Sequence, residues 1–291
     1  MHPAPSLILF TVLSGTGFGL LVWLGLGLRA PTGLAAFILF GLGYGLAGAG
    51  LIAAAFHLGH PERALKAFTQ WRSSWLSREA VLAAATLAVM APHAAGSVFA
   101  ATPLPFFGWL GALLALVTIF ATSMIYVQIK AVPRWHHWST PPVFLLAGLA
   151  GGAALAGQAI LALWLMLALA IAMVVHWMAG DGQFAQAGST AGTATGLGDL
   201  GTVRLLEPPH SGQNYLLREM VHEVGRKHAY KLRLIALGAG AVLPALLLLL
   251  FPVGYLVIAL ALIAHIFGML AQRWLFFAEA EHVVGLYYGK R

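Results

Sequence analysis

Apolar residues fall along this chain in long unbroken blocks, and polar residues gather in the gaps between them. Eight blocks stand out, at about 6–28, 33–56, 79–101, 106–127, 141–157, 159–179, 232–251 and 253–275. Each approaches the roughly 20 residues that cross a bilayer core as a helix. The fifth and sixth form one run too long for a single helix. Gly151, Gly152 and Gly157 are its only breakers, which places the division near Gly157. Phe251, Pro252, Val253 and Gly254 part the seventh block from the eighth with a turn signal. The pattern predicts an all-α integral membrane protein, an eight-transmembrane-helix bundle in a single domain over 1–291. The first block lacks a basic lead and is too long for the core of a cleavable signal peptide, so it is expected to remain as a span.

Composition agrees with the pattern. Hydrophobic residues make up 60% and charged residues 9% of the chain, against roughly 25% charged in a soluble domain. There are no cysteines, which excludes a disulfide and a cysteine-ligated iron–sulfur cluster within the chain. Charge then sets the orientation. Eight spans put the N-terminus, 57–78, 128–140, 180–231 and the C-terminus on one side, and of the 16 Lys and Arg residues only Arg29 falls on the other. The positive-inside rule makes the crowded side cytoplasmic, and with it both termini. All nine acidic residues lie there too. Membrane lipids are expected partners and nucleic acid is not.

The gap between the second and third spans carries the densest chemistry. His57, His60, Glu62, Arg63, Lys66, Trp71, Arg72, Trp75, Arg78 and Glu79 fall within 23 positions. Ionisable groups at the edge of a span are costly to desolvate and mark a site or a docking surface. Pro61 suits the first position of a short helix. Ser77, followed by Arg78 and Glu79, reads as the N-cap and first turn of the third span. Trp71 and Trp75 suit the headgroup belt. An ordinary interfacial loop accounts for any one of these residues alone. Two histidines and an acid converging on one boundary argue for more.

The remaining signals are weaker. His93 and His265 lie inside spans three and eight, and His176 lies near the cytoplasmic end of span six. Such histidines serve as interhelical contacts or as haem ligands. A bis-histidine haem b is open to pairs among His57, His176, His93 and His265, but no spacing compels one. His136 and His137 read as interfacial anchors in a turn-rich loop, and Tyr126 as a belt residue or a phenol reaching a polar site. Residues 181–214 look like a flexible Gly-, Ser- and Thr-rich loop. Their Gly196, Gly198 and Gly201 match a dinucleotide fingerprint as a string, without the strand that would give it meaning. From Tyr215 to Lys231 an apolar stripe of Leu217, Met220, Val221 and Val224 predicts an amphipathic helix on the membrane. It would bind lipid headgroups or dock a cytoplasmic partner. Five glycines of the second span, Gly41, Gly43, Gly45, Gly48 and Gly50, are expected to allow close helix packing.

His57, Leu58, Gly59 and Pro61, followed by Trp71, Ser74, Trp75, Leu76, Ser77 and Glu79, resemble the membrane-anchor subunits of dimethyl sulfoxide reductase, the DmsC family. Met124, Ile125 and Tyr126 before Pro133 and Trp135, and Arg273 before Phe276 and Phe277, fit the same family. The similarity extends over essentially the whole chain. Within the family, the loop ending in Arg226, Lys227, His228 and continuing to Arg233 looks most like the SoeC anchors of cytoplasmic sulfite-oxidising enzymes.

That resemblance implies a multi-pass subunit of the bacterial cytoplasmic (inner) membrane with no catalytic residue of its own. It would pass electrons between a cytoplasmic iron–sulfur subunit and the quinone pool, ubiquinone or menaquinone. Molybdopterin and iron–sulfur clusters would belong to the partner subunits only. Sulfite oxidation coupled to quinone reduction is the implied direction. A quinol-oxidising anchor of a dimethyl sulfoxide, polysulfide or tetrathionate-type reductase, or an anchor carrying haem b, is the alternative. The resemblance puts a quinone-site histidine at His57 and an acid at Glu79, with Arg72, Arg78, Trp71, Trp75 and Tyr126 around them. His57 can donate to a quinone carbonyl, and Glu79 could relay a proton with Arg72 or Arg78 beside it. A transporter would instead carry charges near the membrane midplane and inverted repeats.

Overall fold

Each apolar block forms a helix, and the breaks fall where glycine and proline put them. The computed structural model describes residues 1–207, 210, 212, 214–221 and 228–289, and among these it contains helices and no strand. The principal helices are α1 (Pro5–Gly25), α2 (Gly33–Ala55), α3 (Trp75–Phe99), α4 (Pro105–Val127), α5 (Thr140–Leu155), α6 (Ala159–Gln186), α7 (Ala229–Leu250) and α8 (Tyr255–Ala278). Proline in the first turn opens α1, α4 and α5, where its missing N–H costs nothing. Gly157 adopts φ +71° between α5 and α6, the left-handed conformation that reverses the chain inside the long apolar run. Seven of the eight helices are long and apolar enough to cross a membrane, and α5, with 16 residues, is the shorter one.

Contacts at the loops sort the helix ends into two groups. Arg29 Nη1 donates to Ala156 O at 3.1 Å and Gln158 Nε2 to Leu28 O at 3.1 Å, joining the α1–α2 and α5–α6 turns. At the other end the N-terminal ammonium donates to Ala280 O at 2.7 Å, and Val283 N to Ala131 O at 3.0 Å. The N-terminus and the segment that follows α8 therefore share one end of the bundle, which we call the polar end.

The bundle is organised around α1, the most enclosed of the helices, which packs on α2, α4, α5 and α8. Between helices in lipid there is no hydrophobic driving force, so close association depends on small residues that let backbones meet. Gly19 of α1 meets Gly148 and Gly152 of α5 backbone to backbone, leaving no room for a Cβ. Of the five glycines expected to serve packing in α2, Gly43 and Gly50 do so against α1, while Gly41, Gly45 and Gly48 face open space. Residues Gly238–Val242 of α7 form a π-helical turn, where Gly240 packs directly on Gly268 of α8.

Three local expectations are revised. Helix α3 begins at Trp75 rather than after Ser77. Ser74 is its N-cap, and Ser77 lies inside the first turn, accepting from Gln70 N at 3.1 Å. Helix α6 continues to Gln186 because Gly180 and Gly182 sit in an already formed helix and Asp181 is held by arginines, so the expected loop starts later. Among the described residues, the expected amphipathic segment is helical at Tyr215–Glu219, and α7 already includes Tyr230, Lys231 and Arg233. Residues 222–227, with Val224 of the apolar stripe, lie outside the described residues.

Tyr126 and Trp135 are core residues rather than belt residues. Tyr126 is ringed by Trp135, Phe144, Phe276 and Phe277 at centroid distances of 5.1–5.6 Å, within the range of favourable aromatic pairs. Trp135 stacks on Phe276 and its Nε1 donates to Phe276 O at 2.8 Å. Trp135→Phe should keep the stacking and lose that bond, lowering stability by about 1 kcal/mol. Thermal unfolding of the detergent-solubilised protein measures it, and an unchanged midpoint would show that the bond contributes nothing.

Candidate functional site

The polar end of α2 and α3 builds a cleft. After α2 the chain turns through His57 and Leu58, forms a 3-10 segment over Pro61–Phe68, and returns to α3. Between the segment and α3 lies an open cleft of ≈ 370 Å³, walled by Leu58, Ala64, Ala67 and Leu76 and edged by His60, Arg63, Lys66, Gln70 and Ser77. This volume falls in the usual range for small-molecule pockets. His60 Nδ1 pairs with Glu62 Oε1 at 2.9 Å in the exposed segment. His57 immediately precedes the cleft wall and its exposed imidazole has no partner among the described residues.

Glu79 is placed elsewhere. It points into the bundle, 3% exposed, where Thr122 Oγ1 of α4 donates to its Oε1 at 3.0 Å. Arg78 turns outward. Its Nε donates to Trp71 O at 3.0 Å and its Nη2 to Arg72 O at 2.8 Å, while the guanidinium lies 4.5 Å from the Trp75 ring centroid. Arg78 thereby closes the turn before α3. Trp75 meets Phe120 edge-on, and Trp71 and Arg72 are exposed. The structure thus brings Trp71, Arg72, Trp75 and Arg78 together at the surface, and sets Glu79 and Tyr126 inside. Thr122 gave no signal in sequence, since a threonine in an apolar helix usually bonds its own backbone, as this one also does to Thr118 O.

A second set of polar groups gathers under α6, α7 and α8. Arg134, Asp181, Arg233 and Glu279 form one ion cluster, with Arg134 Nη2 and Arg233 Nη2 on Asp181 Oδ1 at 2.7 and 2.6 Å. Arg233 Nε also donates to Glu279 Oε1 at 2.7 Å. Beside it, Ser139 Oγ lies 2.8 Å from both His137 Nδ1 and His176 Nδ1. One hydroxyl can donate to only one of these nitrogens, so it accepts from the other and the two rings adopt different tautomers. His137 sits at the mouth of this hydrogen-bonded row, its pKa lowered by burial. Arg273 of α8 is 2% exposed, with its guanidinium carbon 3.6 Å from the Phe144 ring centroid.

The histidines considered for haem are separated by these partners. His265 has Nδ1 2.6 Å from Gly240 O and Nε2 3.2 Å from Ala147 O, so both nitrogens face carbonyls. His93 binds Leu104 O at 3.0 Å near the end of the bundle opposite His57 and His176. No contact joins any two of His57, His93, His176 and His265, and no group of three or more His, Asp or Glu suited to a metal ion occurs among the described residues. His265 is thus engaged at both ring nitrogens.

The family model for the dimethyl sulfoxide reductase anchor subunit (DmsC) matches residues 1–180, more than half of the chain. The chain belongs to the DmsC anchor family. It is also 30% identical to the C-subunit of a sulfite dehydrogenase from Allochromatium vinosum, over 99% of each chain. No solved structure matches it. The family match covers the cleft, Glu79, Tyr126, Trp135 and His176 of this anchor. Arg233, His265, Arg273 and Glu279 lie beyond it, within the length shared with the sulfite dehydrogenase protein. As a member of this family, the chain is a multi-pass membrane-anchor subunit of an oxidoreductase.

Proposed function

We propose that this anchor is the quinone-reactive subunit of a molybdenum and iron–sulfur sulfite dehydrogenase of the bacterial inner membrane. The observation that carries the reading is the similarity, along the whole length, to a subunit of a sulfite dehydrogenase. In this reading all eight helices cross the membrane, both termini face the cytoplasm, and the polar end receives the iron–sulfur subunit. The concentration of basic residues at that end supports the orientation.

The partner's molybdenum centre would supply the oxidation of sulfite with water to sulfate, which releases two protons and two electrons. Those two electrons would reduce a quinone held by this anchor, and the quinone would take up two protons to become the quinol. The quinone headgroup belongs in the cleft beside Leu58 and Leu76, whose apolar walls and polar edge suit a neutral ring with two carbonyls. His57, one residue before the cleft wall at Leu58, donates to one carbonyl, and Glu79 holds a proton behind the Trp71–Arg78 surface turn. Trp75 and Arg78 shape that turn, and Tyr126 fixes the helix that carries Thr122.

Affinity purification of this chain from membranes tests the reading. A molybdenum-containing subunit and an iron–sulfur subunit should co-purify, and the complex should reduce quinone with sulfite. A complex that instead reduces dimethyl sulfoxide with quinol and leaves sulfite untouched overturns the substrate and the direction. Purification without redox partners overturns the anchor role.

A further inference from the structure

Arg273 presents a physical problem that its neighbourhood resolves. It is 2% exposed, and its Nη1 has no hydrogen-bonding partner among the described residues. An unpaired buried donor on a charged group is costly. The Phe144 face meets the guanidinium carbon, but leaves Nη1 at its rim unserved.

Arg273 borders a cavity of ≈ 10 Å³ together with Thr11, Thr16 and Met269. A second cavity of ≈ 10 Å³ lies beside it, bordered by Thr11, Ser14, Phe144 and Thr122. Thr11 and Gly15 of α1 form walls of both. The hydroxyl protons around them are committed. Thr11 donates to Leu7 O at 3.0 Å, Ser14 to Phe10 O at 2.6 Å, Thr16 to Val12 O at 2.8 Å, and Thr122 to Glu79 Oε1 at 3.0 Å. Their lone pairs remain available as acceptors on the cavity walls. Acceptors on α1 and α4, and a donor on α8, thus surround two spaces. Each is about the volume that holds one water, about 10–15 Å³ on this measure, with polar partners to hold it.

We propose that one water binds in each cavity, joining Arg273 through Thr11 to Thr122 and Glu79 as a single buried hydrogen-bonded seam across α8, α1, α4 and α3. The seam satisfies the guanidinium and links it to the carboxyl on the far side of α1. It also explains why α1 carries hydroxyl residues at 11 and 14, and α4 one at 122, where alanine would pack as well. On the quinone reading, Arg273 is a positioning residue for Glu79. The waters themselves do not depend on that reading.

X-ray radiolysis of the intact complex in ¹⁸O water tests the seam, because hydroxyl radicals formed from bound water label the side chains that touch it. Met269 and Phe144 border the cavities and are each 3% exposed, whereas Met90 and Met166 are fully buried away from them. Met269 and Phe144 should be labelled several-fold more than Met90 and Met166. Thr11→Val, which keeps the shape and removes the shared acceptor, should reduce both labels to the control level. Labelling of Met269 and Phe144 no greater than that of the two control methionines overturns the proposal. Labelling that Thr11→Val leaves unchanged does so as well. If the variant does not accumulate, the contrast within the wild-type protein decides. Quinone-coupled turnover is not read in this assay, so its failure leaves the sulfite–quinone assignment standing.

Discussion

His57→Ala lowers sulfite-to-quinone turnover by about 100-fold or more, the scale of a positioned acid or base, and leaves sulfite-to-dye turnover intact. The histidine is well placed for a clean experiment. It caps no helix, bonds nothing through its ring among the described residues, and is exposed. Substitutions at such positions usually change stability by no more than about 0.5 kcal/mol. A loss confined to the quinone assay therefore reports on the site and not on the fold. The rival donor is His60, which borders the cleft but is paired with Glu62. If His57→Ala retains quinone coupling and His60→Ala loses it, the headgroup is held by the cleft histidine and the assignment to His57 fails.

Helix positions were legible because apolar blocks and their breakers act locally. Gly157 turns the chain where a breaker was expected, and Pro252 and Gly254 lie between α7 and α8. What stayed hidden is set by which side of a helix meets which neighbour. Arg273 reads as a cytoplasmic charge when counted along the chain, yet one turn before the end of α8 it is enclosed by α1 and α5. Trp135 and Tyr126 carry the composition of a membrane-interface belt, and only the return of Phe276 and Phe277 on α8 makes them core. The candidate site divided in the same way. Its surface members lie within one turn, which sequence proximity reveals. The link from Glu79 to Thr122 spans 43 positions, and no pattern in either helix announces it.

Glu279→Gln should destabilise the anchor by about 2 kcal/mol, seen as a lower unfolding midpoint in detergent. The carboxylate is 5% exposed, accepts from Arg233 Nε at 2.7 Å, and stands 3.6 Å from Arg134 Nη1. Glutamine keeps the volume and removes the charge, so two guanidiniums are left sharing Asp181. Breaking a fully buried pair costs about 3–5 kcal/mol. Here the figure is reduced because the Arg233 side chain is about a fifth exposed and water can solvate part of its charge. Asp181→Asn is the internal comparison. Its side chain is half exposed, and solvent-exposed pairs contribute about 0–1 kcal/mol, so the smaller loss is expected there despite its shorter bonds to both arginines. An equal or larger loss for Asp181→Asn would mean that the four groups act as one unit in which burial does not rank the members. The expected order instead makes Glu279 the residue that draws α7 and the Arg134 loop onto the end of α8. That places the support of the polar end on a carboxylate that a count of loop charges assigns to solvent.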